Sequence, residues 1–109
     1  MSDLLQDQHD EHFGLFQGDT LLACLTISML DQNTAKMRQV AVAESQQRMG
    51  FGRTLILQVE ETLRLRKVNQ IYCHARETAI PFYLHLGYAI VDEPFTEVGL
   101  PHRKMVHTL

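Results

Sequence analysis

The sequence lacks the features that mark membrane-spanning, exported and multidomain proteins. No apolar run approaches the ~20 residues that a membrane-spanning helix needs, so we expect no membrane partner. The first residues, MSDLLQDQHDEH, are acidic where a signal or transit peptide is basic, and we expect a cytoplasmic protein. No repeat, low-complexity segment or linker divides the 109 residues. We therefore predict one domain over residues 1–109, with 1–11 loosely held.

Cysteine and positive charge are also scarce. The two cysteines, Cys24 and Cys73, lie in apolar strand-like runs without a second pair at metal-ligand spacing, so we interpret both as buried thiols. His9, His12, His85 and His107 show no ligand-like spacing, and we predict no metal. Lysine and arginine number 10 against 13 acidic residues, a net charge of −3, so no nucleic acid is expected as a partner.

The first half of the chain alternates apolar and polar residues in short runs. The runs HFGLF and LLACLTISML flank QGDT, which predicts a hairpin with its turn at Gln17 to Asp19. A third strand is predicted over KMRQVAVA, residues 36–43. Leu55, Ile56, Val59 and Leu63 then recur at helical spacing, which predicts a helix from about Phe51 to Arg66.

The second half predicts one more helix and three strands. QIYCHA, residues 70–75, follows a strand and a helix, so we expect it to pair in parallel with the earlier strand. AIPFYLHL predicts a short helix capped by Thr78, with Pro81 in its first turn and Gly87 after its last. YAIVDEPF and HRKMVHTL predict two strands around the loop TEVGLP. The fold class is therefore α/β, a mixed and mostly antiparallel sheet with two main helices.

The segment QRMGFGRTL joins the third strand to the longer helix. Its glycines, Gly50 and Gly52, would let an anion approach the unpaired amides of the helix start, and Arg48 and Arg53 add positive charge. The alternative is that the glycines only turn the chain and pack the helix on the sheet. A P-loop is disfavoured because no lysine follows Gly52, and a dinucleotide fingerprint is disfavoured because no third glycine follows.

Two motifs resemble those of a known family. VAVAESQQRMGFGRTLI resembles motif A of the GCN5-related (GNAT) acyl-CoA acyltransferases, with Gln47, Gly50 and Gly52 at its defining positions. AIPFYLHLGY is similar to motif B, and EPFTEVGLPHRKM resembles the ElaA-like bacterial branch. The resemblance implies a GNAT fold that is N-terminally truncated, because the family's usual first strand and two helices have no counterpart before the predicted hairpin.

The same resemblance implies acetyl-CoA as the acyl donor. Main-chain groups of Val40, Ala41 and Val42 would hold its pantetheine arm. The pyrophosphate would lie on the main-chain amides of the glycine segment, namely those of Gln47, Arg48, Met49, Gly50, Phe51, Gly52 and Arg53. Arg76 occupies a position where many members have an asparagine that contacts the cofactor, so that contact is expected to be weaker.

Acetyl transfer to an amine also requires proton transfers. An amine with a pKa near 10.4 is about 3.4 units from neutral at pH 7, so its deprotonation costs on the order of 4 to 5 kcal/mol. The resemblance implies Tyr83 as the general acid that protonates the departing thiolate, and a main-chain amide near Ala41 or Val42 as the group that polarises the carbonyl. His74, His102 and Glu97 are candidates for the base, although each is also an ordinary polar surface residue.

Two functions remain open from the sequence. One is an N-acetyltransferase that acetylates a small-molecule amine or an exposed protein amine. The other is a catalytically silent CoA-binding or dimeric interaction module derived from such enzymes. In either case the predicted strand His12–Phe16 would expose an unpaired edge, and we expect a second copy of the chain to cover it as a homodimer.

Overall fold

A computed structural model describes residues 10–43 and 50–109 of the chain. The described strands form one six-stranded sheet in the order β1-β2-β3-β4-β6-β5, in which β3 and β4 are parallel and the other neighbours antiparallel. The same described residues also form two α-helices and a short 3₁₀ turn. The strands are β1 Asp10–Gln17, β2 Thr20–Met29, β3 Thr34–Val42, β4 Gln70–Arg76, β5 Ala89–Glu97 and β6 Leu100–Thr108, and the helices are α1 Phe51–Leu65 and α2 Ile80–His85. The predicted mixed sheet with two helices is confirmed.

The first hairpin has the predicted turn. Gln17 of β1 pairs with Thr20 of β2, so the connection is the two residues Gly18 and Asp19. Gly18 has a φ of 60°, a left-handed conformation that glycine adopts at little cost and that two-residue hairpins require. Among the described strands β1 pairs with β2 alone, so β1 forms one edge of the sheet.

Helix α1 begins and ends close to the predicted residues. Its N-cap is Gly50, with a φ of 81°, and its C-cap is Arg66. The buried residues of α1 recur every three or four positions and form one stripe, which consists of Gly52, Leu55, Ile56, Val59, Glu60 and Leu63. This stripe packs on one face of the sheet, against the fully buried Leu25, Ile27, Met37, Ile71 and Met105.

Helix α2 confirms one part of its prediction and corrects another. Pro81 lies in its first turn, and Gly87 follows its end with a φ of 95°. Thr78 does not cap the helix. It lies in a 3₁₀ turn, Glu77–Ala79, and the N-cap is Ala79, which makes no side-chain capping bond. Because the chain enters α2 through this tighter turn, the N-cap is one residue later than predicted, at Ala79 instead of Thr78.

The last hairpin differs from the sequence prediction. We predicted a six-residue loop over TEVGLP, but β5 extends to Glu97 and β6 starts at Leu100, so the turn consists of Val98 and Gly99. Both turn residues have positive φ, 52° and 71°. Valine rarely adopts this conformation because its β-branch crowds the backbone, so a valine at this position does not indicate a tight turn. Glu97 and His102 thus lie on strands rather than on a loop.

No helix in the described part of the chain combines the length and the apolar character needed to cross a bilayer. The two cysteines are free thiols, and only one of them is as buried as predicted. Cys73 is buried, whereas Cys24 is half-buried on β2, near the end of the sheet where β3 finishes.

Candidate active site

The two parallel strands β3 and β4 separate along their length. They pair from Thr34 and Gln70 as far as Met37 and Cys73, and no further pair follows although both strands continue. β3 stays with β2 instead, since the amide of Ala43 still donates to the Leu22 carbonyl at 2.9 Å. The separation opens a cavity of about 570 Å³ between β3 and β4. Described residues of β3, β4, α2 and the β5–β6 turn form its walls.

A β-bulge in β3 coincides with the point of separation. Thr26 of β2 pairs with Arg38 and Cys24 pairs with Ala41, so Leu25 alone opposes two residues, Gln39 and Val40. Gln39 has a φ of 57°, which is uncommon for a residue with a Cβ. The Thr26 hydroxyl donates to the Gln39 side-chain oxygen at 3.2 Å and stabilises the bulge. An extra residue bends the strand, which accounts for β3 leaving β4 here.

Tyr83 enters the cavity from α2. Its side chain is buried, with 7% exposed, and its ring makes edge contacts with Phe82 and Tyr88. Burial raises the pKa of the Tyr83 hydroxyl above its usual value, and the neighbouring Cys73 adds to the increase. Tyr83 is therefore a protonated hydrogen-bond donor at neutral pH, the state that a general acid needs before it acts.

The three base candidates lie together in the same cavity. The Nδ1 atom of His74 on β4 is 3.1 Å from Oε1 of Glu97, and Nε2 of His102 on β6 is 3.7 Å from Oε2 of the same carboxylate. The His74 hydrogen bond holds the pKa of Glu97 below its usual range. A carboxylate accepts, so His74 donates from Nδ1, and in the neutral imidazole the lone pair is then on Nε2.

The His102 imidazole is less accessible to solvent and ligands than that of His74. Its side chain is buried, and its Nδ1 is 2.9 Å from the Leu100 carbonyl oxygen, which can only accept. The ring also stacks on Phe95 at 5.8 Å between centroids, while His74 meets the edge of the same Phe95 at 4.9 Å. Phe95 therefore orients both imidazoles, and His74, with about a quarter of its side chain exposed, is the one that solvent and ligands can reach.

A thiol also lines the cavity. Cys73 is the last β4 residue that pairs with β3, and burial raises its pKa to about 12. A thiol with such a pKa stays protonated at neutral pH and is a poor nucleophile.

The start of α1 lies at the far end of β3. The first intrahelical bond runs from the Thr54 amide to the Gly50 carbonyl at 3.0 Å, so the amides of Phe51, Gly52 and Arg53 precede any helical acceptor. Among residues 10–43 and 50–109, no atom lies within 4 Å of a Cβ placed on Gly50, whereas a Cβ on Gly52 would lie 3.1 Å from Val42. The absence of a Cβ on Gly52 lets the helix approach β3, while Gly50 provides the left-handed backbone conformation at the N-cap.

The structure does not bring all the predicted cofactor residues to one cavity. Val40 lines the large cavity. Ala41 and Val42 line a smaller one, of about 270 Å³, with residues of β2. Gly50, Phe51, Gly52 and Arg53 are grouped at the start of α1. The predicted contributors Gln47, Arg48 and Met49 lie outside the described residues.

Sequence reasoning missed two cavity residues on β3, Lys36 and Arg38. The alternating pattern of β3 indicates where they lie, because Lys36 and Arg38 alternate with the buried Ala35 and Met37 and therefore face the other side of the sheet. Within residues 10–43 and 50–109, no group of three or more histidine, cysteine or acidic side chains has an arrangement that could hold a metal ion.

Solved structures with this architecture define its class. Escherichia coli ElaA is 25% identical, with a TM-score of 0.79 over 89% of this chain and 67% of ElaA. A GNAT family acetyltransferase from Elizabethkingia anophelis, solved with acetyl-CoA bound, superposes with a TM-score of 0.82 at 18% identity over 100% of this chain and 84% of that chain. The described fold is thus that of the GNAT acyltransferases.

Sequence comparison identifies the family. The profile of the acetyltransferase (GNAT) family matches residues 1–88, so the chain belongs to that family. The protein YyaT of Bacillus subtilis is 29% identical over 70 residues, which are 64% of this chain and 47% of YyaT. The chain spans about half the length of YyaT and of a second relative from the same organism.

Proposed function

We propose that the chain binds acetyl-CoA along β3 and the start of α1 and transfers its acetyl group to an amine in the cavity between β3 and β4. Family membership supports the donor, and the observation that carries the proposal is the separation of β3 from β4 beside a protonated tyrosine. A neighbour with the same fold was solved with acetyl-CoA bound. The cytoplasmic location stays a prediction.

The donor would be held mainly by the backbone. The amides of Phe51, Gly52 and Arg53, at the positive end of the α1 dipole, are suited to the pyrophosphate. Arg53 is exposed in the first turn, where no acidic residue opposes it. The pantetheine arm would follow β3 from Val42 toward Val40, which brings the thioester to the cavity that Tyr83 lines. A main-chain amide of this stretch would polarise the thioester carbonyl.

The acceptor amine would attack the thioester directly. The neutral amine nitrogen forms a bond to the thioester carbonyl carbon, and the carbonyl oxygen takes the electron pair. The oxygen then returns this pair to re-form the carbonyl as the C–S bond breaks. The sulfur leaves with its electron pair and accepts the proton of Tyr83, and the extra proton on the amine nitrogen goes to Nε2 of His74. Proton exchange with solvent restores both side chains. An acetyl-enzyme on Cys73 is disfavoured because its thiol stays protonated at neutral pH.

The experiment compares Tyr83→Phe with wild type and with Tyr72→Phe. The assay follows thiol release from acetyl-CoA with a panel of amines, and calorimetry measures acetyl-CoA affinity. Tyr72 is a buried tyrosine that does not line the cavity, so its variant controls for the loss of a phenol hydroxyl. We expect Tyr83→Phe alone to lower kcat by about 10²- to 10⁴-fold with unchanged acetyl-CoA affinity. Binding without turnover on any amine would favour a silent CoA-binding module instead.

We also propose that the chain forms a homodimer through β1. Among the described strands this edge pairs on one side only, and an unpaired edge favours addition of another strand. Phe16, near its end, is 61% exposed. Light scattering should report a dimer, and His12→Pro on the open strand should shift it toward the monomer. A monomer at all concentrations would contradict this assignment.

A further inference from the structure

The wall of the cavity is more basic than the chain as a whole. The chain as a whole has 13 acidic and 10 basic residues. Of the described residues lining the cavity, three are lysine or arginine, namely Lys36, Arg38 and Arg76, and one, Glu97, is acidic. Glu97 already faces His74 and His102. The lysine, arginine and acidic residues of the cavity lining therefore sum to a positive charge, whereas the net charge of the whole chain is negative.

Within residues 10–43 and 50–109, neither Lys36 nor Arg76 makes an ion pair. The Lys36 ammonium lies 6.0 Å from the centre of the Tyr72 ring, and Lys36 is the cation whose charge acts on Glu97. Arg38 is partly engaged, because it donates to the Ser28 hydroxyl at 3.2 Å and lies 3.7 Å from Asp10. Both side chains come from the part of β3 that precedes the bulge. A ligand anion would be the natural partner of Lys36.

This anion is separate from the phosphates of the donor. Lys36 precedes Val42 by six residues, and a strand rises ~3.3 Å per residue, so about 20 Å separates Lys36 from the end of β3 beside Gly52. The amides proposed for the pyrophosphate lie at that far end. Lys36 instead flanks the stretch of cavity that contains His74 and Glu97, and its charge contributes to the lowered pKa of Glu97 after the larger effects of the two histidines.

We infer that the acceptor is a small amine that also carries a carboxylate, such as an amino acid, with the carboxylate on Lys36 and the amine directed to His74. This inference rests on the proposed acetyl transfer and names its substrate class. A cationic wall attracts a carboxylate and repels amines with several positive charges, so polyamines are disfavoured. A carboxylate on Lys36 also fixes the orientation of a small acceptor, which free diffusion into the cavity would not.

The test measures kcat and KM for three amines of matched size with the 109-residue chain and saturating acetyl-CoA. The first amine is an amino acid, the second is its carboxamide, and the third is a polyamine. Rates are expressed per concentration of neutral amine, because the carboxamide has the less basic nitrogen. Lys36→Gln removes the proposed partner. Lys67→Gln is the matched control, because Lys67 follows α1 and does not line this cavity.

We expect wild type to prefer the amino acid over its carboxamide by about tenfold or more, the value of one charge-assisted hydrogen bond. Lys36→Gln should raise KM for the amino acid by a similar factor, leave KM for the carboxamide unchanged and alter kcat little. Equal or better acetylation of the polyamine, or a selectivity that Lys36→Gln does not change, would overturn the inference while leaving the acetyltransferase proposal intact. No turnover on any amine would overturn both.

Discussion

The hydroxyl of Tyr88 donates a 2.7 Å hydrogen bond to the carboxylate of Glu60, and both side chains are buried. The bond joins α1 to the residue that precedes β5. Tyr88 also contacts the ring of Tyr83, and its amide donates to the Tyr83 carbonyl at 3.0 Å. One buried pair thus connects the long helix with the position of the proposed acid.

Tyr88→Phe should therefore destabilise the fold. It leaves the buried Glu60 carboxylate without its partner, and we expect the free energy of unfolding to fall by about 1–3 kcal/mol. Denaturant unfolding measures this change. The double variant Glu60→Leu with Tyr88→Phe removes both polar groups and should recover part of the loss. A single variant as stable as wild type would mean that the bond carries little free energy.

Gly50→Ala should affect both stability and donor binding. A Cβ at a φ of 81° costs about 1 kcal/mol, although no atom of the described residues lies within 4 Å of it. Gly18→Ala is the matched control, because its φ is 60° and its surroundings are equally open. We expect similar losses of stability, and weaker coenzyme A binding by calorimetry for Gly50→Ala alone. Equal affinities in the two variants would place the phosphates away from Gly50.

The ion pair between Glu11 and Arg66 should make stability depend on pH. Arg66 donates to both oxygens of Glu11, at 2.6 and 3.1 Å, and these bonds lower the pKa of Glu11 below its usual 4.5. Because the folded pKa is the lower one, the stabilisation is present above pH 4.5 and is lost as pH falls through the folded value. Both side chains are about half-exposed, so we expect less than ~1 kcal/mol.

Unfolding of Glu11→Gln at several pH values tests this. The difference from wild type should be present at pH 7 and should vanish at low pH, where Glu11 is protonated in both states. Glu77→Gln, at another exposed position, is the control. A difference that persists at low pH would assign the effect to packing rather than to charge.

Glu97→Gln should impair the proposed base without preventing donor binding. It exchanges the carboxylate that accepts from His74 Nδ1 for an amide, which no longer stabilises a protonated imidazole. We expect kcat to fall on the order of tenfold, less than the ~10²-fold or greater loss for removing a general base such as His74 itself. Glu93→Gln, on the exposed part of β5, is the control. An unchanged pH profile of kcat in Glu97→Gln would exclude His74 as the base.

Much of the fold was predictable because local signals agree with the packing. The stripe Leu55, Ile56, Val59 and Leu63 gave the buried face of α1, and β4 pairs in parallel with β3 as a strand–helix–strand order requires. Tyr83 and His74 line one cavity in the structure. Their catalytic roles remain predictions.

The remaining features depend on conformations that sequence patterns do not signal. The bulge at Gln39 and the turn at Val98 both place residues with a Cβ at positive φ, and each depends on tertiary contacts. The partnership of Glu97 with His74 follows from that turn, since a longer loop would not hold Glu97 in register with Leu100. The basic lining of the cavity could not be predicted either, because it depends on where β3 and β4 separate.

Binding of acetyl-CoA at the start of α1 is tested most directly by titrating the ¹⁵N-labelled chain with acetyl-CoA and following the amide chemical shifts. We expect saturable shifts for Gly50, Phe51, Gly52 and Arg53 at the start of α1 and for Val40 in the cavity wall. The chemical shifts of the β1 amides, such as that of His12, should not change. Saturable binding that leaves the α1 amides unperturbed, or no shifts at millimolar acetyl-CoA, would contradict the account.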